Sequence, residues 1–237
     1  MKLGAMQPYF FPYLGYFDLI HSVDRWIVAD TMQYMRHGWV NRNRVLHPAG
    51  GWQYVVVPLR KHPLRTPIRE IAIAAEQDWR TRLRRQLEHY RSRAPFYRPV
   101  MALLDEALAG ADDSLCRLNV RGLAAVCGYL GLRFEPVYLS ELKLPPEPVS
   151  EPGEWAIRIA QAVGAAEYVN PPGGAALYDP AAFARAGLKL TIKPLIDFRY
   201  ECPPYEFIPA LSILDVLMWN PPQRVKAYLD SVKEEAT

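Results

Sequence analysis

Apolar and polar positions along the chain follow two periods in turn. Residues 2–7 form a short apolar run, residues 15–23 repeat apolar positions at helical spacing, and residues 25–30 (Arg-Trp-Ile-Val-Ala-Asp) form a second apolar run. This pattern predicts a strand, a helix and a second strand, with a connection short enough for a parallel βαβ unit. Residues 52–59 are rich in Val and follow the turn Pro48-Ala49-Gly50-Gly51, and residues 68–74 alternate, so these two segments are expected to form an antiparallel extension. From 79 to 130 the helical period holds, broken near Ala94-Pro95 and again at 110–114, where Asp or Ser is placed to cap the next helix. The rhythm then returns to strand 133–139, helix 155–163, strand 167–169, helix 180–186 and strand 188–194.

That β-α-β-α-β order implies an α/β fold with a mostly parallel, Rossmann-like sheet, helices on both faces and a helical insertion at about 79–130. One domain over 1–237 is expected, because the strands on either side of the Pro-rich stretch 143–153 must share a sheet to bury both faces. Half of the residues are apolar, yet no run nears the roughly 18 needed for a membrane helix. The start also lacks the long apolar core of a secretory signal, so a cytoplasmic protein with no membrane partner is expected.

Charge and cysteine content narrow the chemistry. A net charge of +3 is too small to imply nucleic acid, although basic residues cluster at 36–44 and 80–93. The second cluster lies on a helix whose Trp79, Leu83, Leu87 and Tyr90 form the core-facing stripe, which reads as a solvated face or as a surface for RNA or an acidic carrier protein. Cys116, Cys127 and Cys202 lack metal or disulfide spacing, and the five histidines form no ligand pair, so neither a metal nor a cofactor is expected. Cys116 and Cys127 read as core thiols. Cys202, in a loop, is the one candidate for reactivity.

Four segments carry candidate chemistry. Residues 6–16 follow the first strand and hold five rings, Tyr9, Phe10, Phe11, Tyr13 and Tyr16, together with Gln7, whose amide both donates and accepts. Ligands of open α/β sheets bind at such a position. Residues 38–44 interleave Trp39, Asn41, Arg42, Asn43 and Arg44, with the Asn pair and the Arg pair on opposite faces of an extended stretch, and Arg suits phosphate or carboxylate. Residues 168–178 place Asn170, Gly173, Gly174 and Tyr178 after a strand, where glycines let backbone amides approach an anion. A helix near the end carries Ser212 at its start and Asp215 in an apolar run, either a satisfied anchor or a general base with a raised pKa.

These segments, in this order, resemble the WbqC-like family of bacterial proteins. The resemblance rests on the block from Met6 to Phe17, the pair Asp30 and Gln33, the block from Trp39 to Asn43, the loop from Asn170 to Tyr178 and the helix from Leu211 to Asp215. The stretch 143–153 is not part of it. The resemblance implies a role with O-antigen, other surface sugars or specialised metabolites, as a transferase of glycine or another amino acid onto an amino sugar.

The expected function is an acyl or aminoacyl transferase that forms an amide between an activated acyl donor, such as a carrier-bound thioester, and a small-molecule amine. On that expectation Asp30 and Asp215 are the base candidates, Asn41, Asn43 and Gln7 are positioning donors, and Arg42 and Arg44 are anion clamps. Tyr9, Phe10, Tyr16, Gln33, Trp39, Asn170, Gly173, Gly174, Tyr178 and Ser212 complete the expected binding site. The alternatives are a nucleotide-dependent ligase or nucleotidyltransferase of HUP-like type, and a non-catalytic module that binds a carrier protein or a sugar nucleotide.

Overall fold

In the computed structural model, which describes residues 1–144 and 152–235, the βαβ opening is present: β1 (Lys2–Met6), α1 (Leu14–Ser22) and β2 (Arg25–Val28). A hairpin of β3 (Arg42–Leu46) and β4 (Trp52–Val56) follows, then α2 (Trp79–Leu87), α3 (Tyr97–Leu108) and α4 (Leu115–Leu130). The chain returns to the sheet through β5 (Pro136–Tyr138), α5 (Pro152–Ala162), β6 (Glu167–Asn170), α6 (Pro180–Arg185) and β7 (Lys189–Ile192), and closes with α7 (Ile213–Trp219) and α8 (Pro222–Glu235). Five strands form one parallel sheet in the order β5-β2-β1-β6-β7. The α/β class with a mostly parallel sheet, expected from the alternation of periods, is what the chain adopts.

Side chains alternate across this sheet. Leu3, Ile27 and Tyr168 point into a smaller core that holds Ala156, Ile159 and Phe183 of α5 and α6. Trp26, Val28 and Val169 point the other way, into a larger core shared with α1, the helical block, α7 and α8. Near-continuous apolar strands follow from burial on both faces. Ser114 caps α4 by accepting from Arg117 N, and Gly131 ends that helix at φ 66, a conformation glycine adopts without steric cost.

Two details differ from expectation. The partner of β4 is β3, paired from Arg42↔Val56 to Leu46↔Trp52, whereas residues 68–74 contribute a 3-10 turn and single bridges such as Leu59↔Ile73. Alternation at 41–45 places Asn43 and Val45 inward and is strand periodicity, a signal weakened by its polar composition. The terminal helix α8 was not anticipated. Within the Pro-rich stretch 143–153, residues 145–151 lie outside the described residues.

The loop after β1 runs through the interior, so its backbone carbonyls need buried partners. Asn119 Nδ2 of α4 donates to Pro8 O and to Val40 O, each at 2.7 Å. Asn43 Nδ2 donates to Phe10 O at 3.1 Å and Phe11 O at 2.9 Å, and Ser212 Oγ adds a bond of 2.7 Å to Phe11 O. Tyr16 OH donates to Gln7 O at 2.8 Å, and Ile213 N to Pro12 O at 2.8 Å. With Phe11 held at φ 39, Phe10 and Phe11 turn into the core, and Phe11 lies on Gly122 of α4.

Asn43→Ala removes a donor from two buried carbonyls and is expected to cost about 2 kcal/mol or more, read as a lower urea midpoint at unchanged slope. Gln33→Ala, which removes one exposed bond to Leu64 O, is expected to change stability by less than about 0.5 kcal/mol.

Candidate functional site

The strand order reverses between β1 and β6, and the crevice beyond their carboxyl ends is the position where open α/β sheets bind ligands. A cavity of about 740 Å³ lies there. Met6, Gln7, Tyr9 and Tyr13 form one wall, Trp155 and Ile159 of α5 another, and Tyr168, Asn170, Gly173, Gly174 and Tyr178 the wall after β6. Ala29, Met32, Trp39, Leu177 and Leu195 also line it, and among the described residues no charged side chain is in its walls.

Ring hydroxyls and amides therefore supply its polarity. Burial raises the phenol pKa values of Tyr9, Tyr13 and Tyr178, and that of Tyr168 well above its ordinary value, so these groups stay protonated donors at neutral pH. Asn170 is held in place: its Nδ2 donates to Pro171 O at 2.8 Å and its Oδ1 accepts from Tyr178 OH at 3.3 Å. A Cβ on Gly174 would clash with that amide, which is the steric reason for glycine at this position. The half-buried Gln7 amide makes no hydrogen bond among the described residues and faces the cavity free.

The remaining residues singled out in the sequence lie elsewhere. Asp30 is buried and accepts from Ser140 N at 2.9 Å and Ser140 Oγ at 2.6 Å, which ties the turn after β5 to the end of β2. Asn41 accepts from Tyr34 OH at 2.8 Å and donates to Val57 O at 2.9 Å. Arg42 donates to the carbonyls of His37 and Gly38 and stacks on Tyr54. Arg44 sits between the rings of Trp39 and Trp52, 5.4 and 5.2 Å from their centroids. Asn43, Ser212, Phe10 and Tyr16 hold or fill the loop backbone rather than line the cavity, and Gln33 bonds an outer loop at Leu64 O.

Asp215 belongs to a separate buried cluster. It accepts from Tyr90 OH and from Tyr200 OH, the latter at 2.5 Å, while Tyr90 OH in turn accepts from Leu46 N at 2.9 Å. Burial lifts the Asp215 carboxyl to about 6 against the lowering effect of the two phenols. Cys202 beside it is 3% exposed, with burial first and Asp215 second pushing its thiol up to about 11. It is thus a core thiol, and the expectation of a reactive loop cysteine is corrected by its burial.

Three structural groups were not singled out in the sequence. Asn119 lies mid-helix; Tyr200 lies in an irregular segment. Lys193 and Asp18 form an ion pair of 3.1 Å with side chains 7% and 3% exposed, joining the chain after β7 to α1. Burial raises the Asp18 carboxyl and the Lys193 ammonium lowers it. An acid flanked by Phe17, Leu19 and Ile20 was the available hint. Among the described residues, no three His, Cys, Asp or Glu side chains gather as a metal site, and no helix is long and apolar enough to cross a membrane.

Residues 7–227 match the profile of the WbqC-like protein family. The chain is 32% identical over 219 residues to the uncharacterized protein Rv1507c of Mycobacterium tuberculosis (strain ATCC 25618 / H37Rv), covering 91% of this chain and 92% of that one. No solved structure matches.

The raised carboxyl of Asp215 sets a pH dependence. Its folded value, about 6, exceeds its ordinary 3.8, so its contribution to stability is full below about 4 and is lost as pH rises through about 6. In urea unfolding from pH 4 to pH 7, the stability of the wild type minus that of Asp215→Asn is expected to fall. A difference that grows with pH would show a carboxylate favoured as the anion.

Proposed function

The chain thus belongs to the WbqC-like protein family, and on that premise we propose that it is an acyl or aminoacyl transferase that forms an amide. The donor is an activated acyl group on a thioester and the acceptor is a small-molecule amine such as an amino sugar. The observation that carries this reading is the cavity at the sheet's reversal point, walled among the described residues by rings, neutral amides and apolar side chains and by no charged one. Such walls suit neutral, amide-bearing or ring-bearing ligands, which gain from burial and from a few placed hydrogen bonds.

The chemistry asks little of the protein beyond placement. The amine nitrogen attacks the thioester carbonyl, the C–N bond forms, the C–S bond breaks, and the departing thiolate takes the proton that the nitrogen loses. Gln7 and the Tyr9 hydroxyl are the donors for the developing oxyanion, and Tyr178 with Asn170 shapes the acceptor side. Asp30, Asn41 and Asp215 act in this reading as positioning residues, since their polar atoms are already engaged away from the cavity walls. The strand order also favours a second reading, a nucleotide-dependent ligase, because doubly wound sheets of this kind often take nucleotides at the same crevice.

Thermal unfolding with pantetheine, with amino sugars and with ATP separates the two. At about a hundred times its dissociation constant a ligand stabilises by roughly 2.7 kcal/mol. Shifts with pantetheine or an amino sugar, diminished in Gln7→Ala while the unliganded midpoint stays near wild type, are expected. A shift with ATP alone would replace the transferase by the ligase.

A further inference from the structure

The charge of this protein is unevenly placed. Residues 31–69 hold seven of the chain's 28 Lys and Arg and none of its 25 Asp and Glu. Arg60 pairs with Asp113 at 3.0 Å and Arg69 with Glu70 at 3.5 Å. Arg36, Arg42, Arg44, Lys61 and Arg65 have no carboxylate partner among the described residues.

Contacts make these cations one surface. Gln33 Nε2 donates to Leu64 O at 3.0 Å, Tyr34 N to Thr66 O at 2.9 Å, and the Tyr34 and His62 rings meet at 5.1 Å, which joins the loops around 33–37 and 61–66. Arg42 reaches from β3 to the His37 carbonyl, and Arg44 beside it stacks on Trp39, whose indole also lines the cavity. The Arg44 Nε is buried without a partner. The basic surface thus runs up to the cavity mouth, and a cavity with no charged wall among the described residues leaves the charge on a ligand to these cations.

We propose that this face docks an acidic carrier protein whose pantetheine-type arm enters the cavity past Trp39. The proposal rests on the transferase reading of the cavity. The arm's amides and methylenes match the uncharged walls, and the phosphate at its root falls to Arg44, an uncompensated guanidinium at the rim. Met35 and Leu64, 56% and 63% exposed, lie within the same basic face. Exposed Met and Trp with Arg and without acids is the composition of a protein interface, and this favours an acidic protein over RNA. The cations of α2 are a weaker candidate: Arg84 there is already paired with Asp105 at 2.8 Å.

The test measures binding of a panel of fluorescently labelled acidic holo-carrier proteins by anisotropy, with an RNA oligonucleotide alongside. The variant is Arg36→Glu/Lys61→Glu/Arg65→Glu, all at exposed positions outside the cavity walls. The wild type is expected to bind a holo-carrier with affinity that falls between about 0.1 and 0.5 M salt, and the variant to bind at least tenfold more weakly at about 0.1 M salt with an unchanged melting temperature. The shift given by free pantetheine is expected to be the same in both proteins. Undiminished carrier binding by the variant, no carrier binding by the wild type, or tighter binding of RNA than of any carrier overturns the proposal. Charge-dependent carrier binding without a pantetheine shift would leave the docking face standing and remove the cavity reading.

Discussion

Burying the backbone of the loop after β1 is the constraint on which the rest of the arrangement depends. The carbonyls of Gln7, Pro8, Phe10 and Phe11 take side-chain donors there, and an unpaired buried carbonyl costs about 1–3 kcal/mol. Asn119, Asn43, Ser212 and Tyr16 meet that demand from two helices, a strand and the cap of α7. Their convergence fixes the loop so that Phe10 and Phe11 enter the core while Gln7, Tyr9 and Tyr13 face the cavity. The insertion between β2 and β5 is therefore part of the site's foundation, since Asn43 and Asn119 both come from it.

A second consequence concerns the acids. Asp30 and Asp215 are buried with hydrogen-bond donors already placed on them, and each joins segments far apart in sequence. Buried polar groups that are fully engaged specify one arrangement of the elements around them. The cavity, by contrast, takes its polarity from phenols that burial keeps protonated and from neutral amides. Electrostatic work is thus divided between a crevice whose described walls carry no charge and a cationic exterior face, with Trp39 at the boundary between them.

The order of strands and helices was legible because hydrophobic pattern is a local property: the apolar run at 25–30 and helical spacing at 115–130 need no knowledge of the remainder of the chain. The hairpin strand β3 was harder to read, because its outward positions are arginines and its inward Asn43 is polar. The positions of the loops at the carboxyl ends of β1 and β6 were also legible, and with them the segments that wall the cavity, including Gln7, Tyr9, Asn170 and Tyr178. Within those segments the division between wall and support was not. Asn43 and Asn170 are the same residue type in motifs of similar composition, yet one donates inward to the carbonyls of Phe10 and Phe11 and the other stands in the cavity wall.

By itself, then, the amino-acid sequence determined the α/β class, the parallel sheet and the family to which the chain belongs. Tertiary structure decided which polar residues serve the fold and which face a ligand, and it brought Lys193 to Asp18 and Tyr200 to Asp215. The physical reason is the range of the interactions. Hydrophobic period is set by near neighbours, whereas a buried amide is assigned by whichever carbonyl lacks a partner, and here such a carbonyl lies up to 111 residues distant.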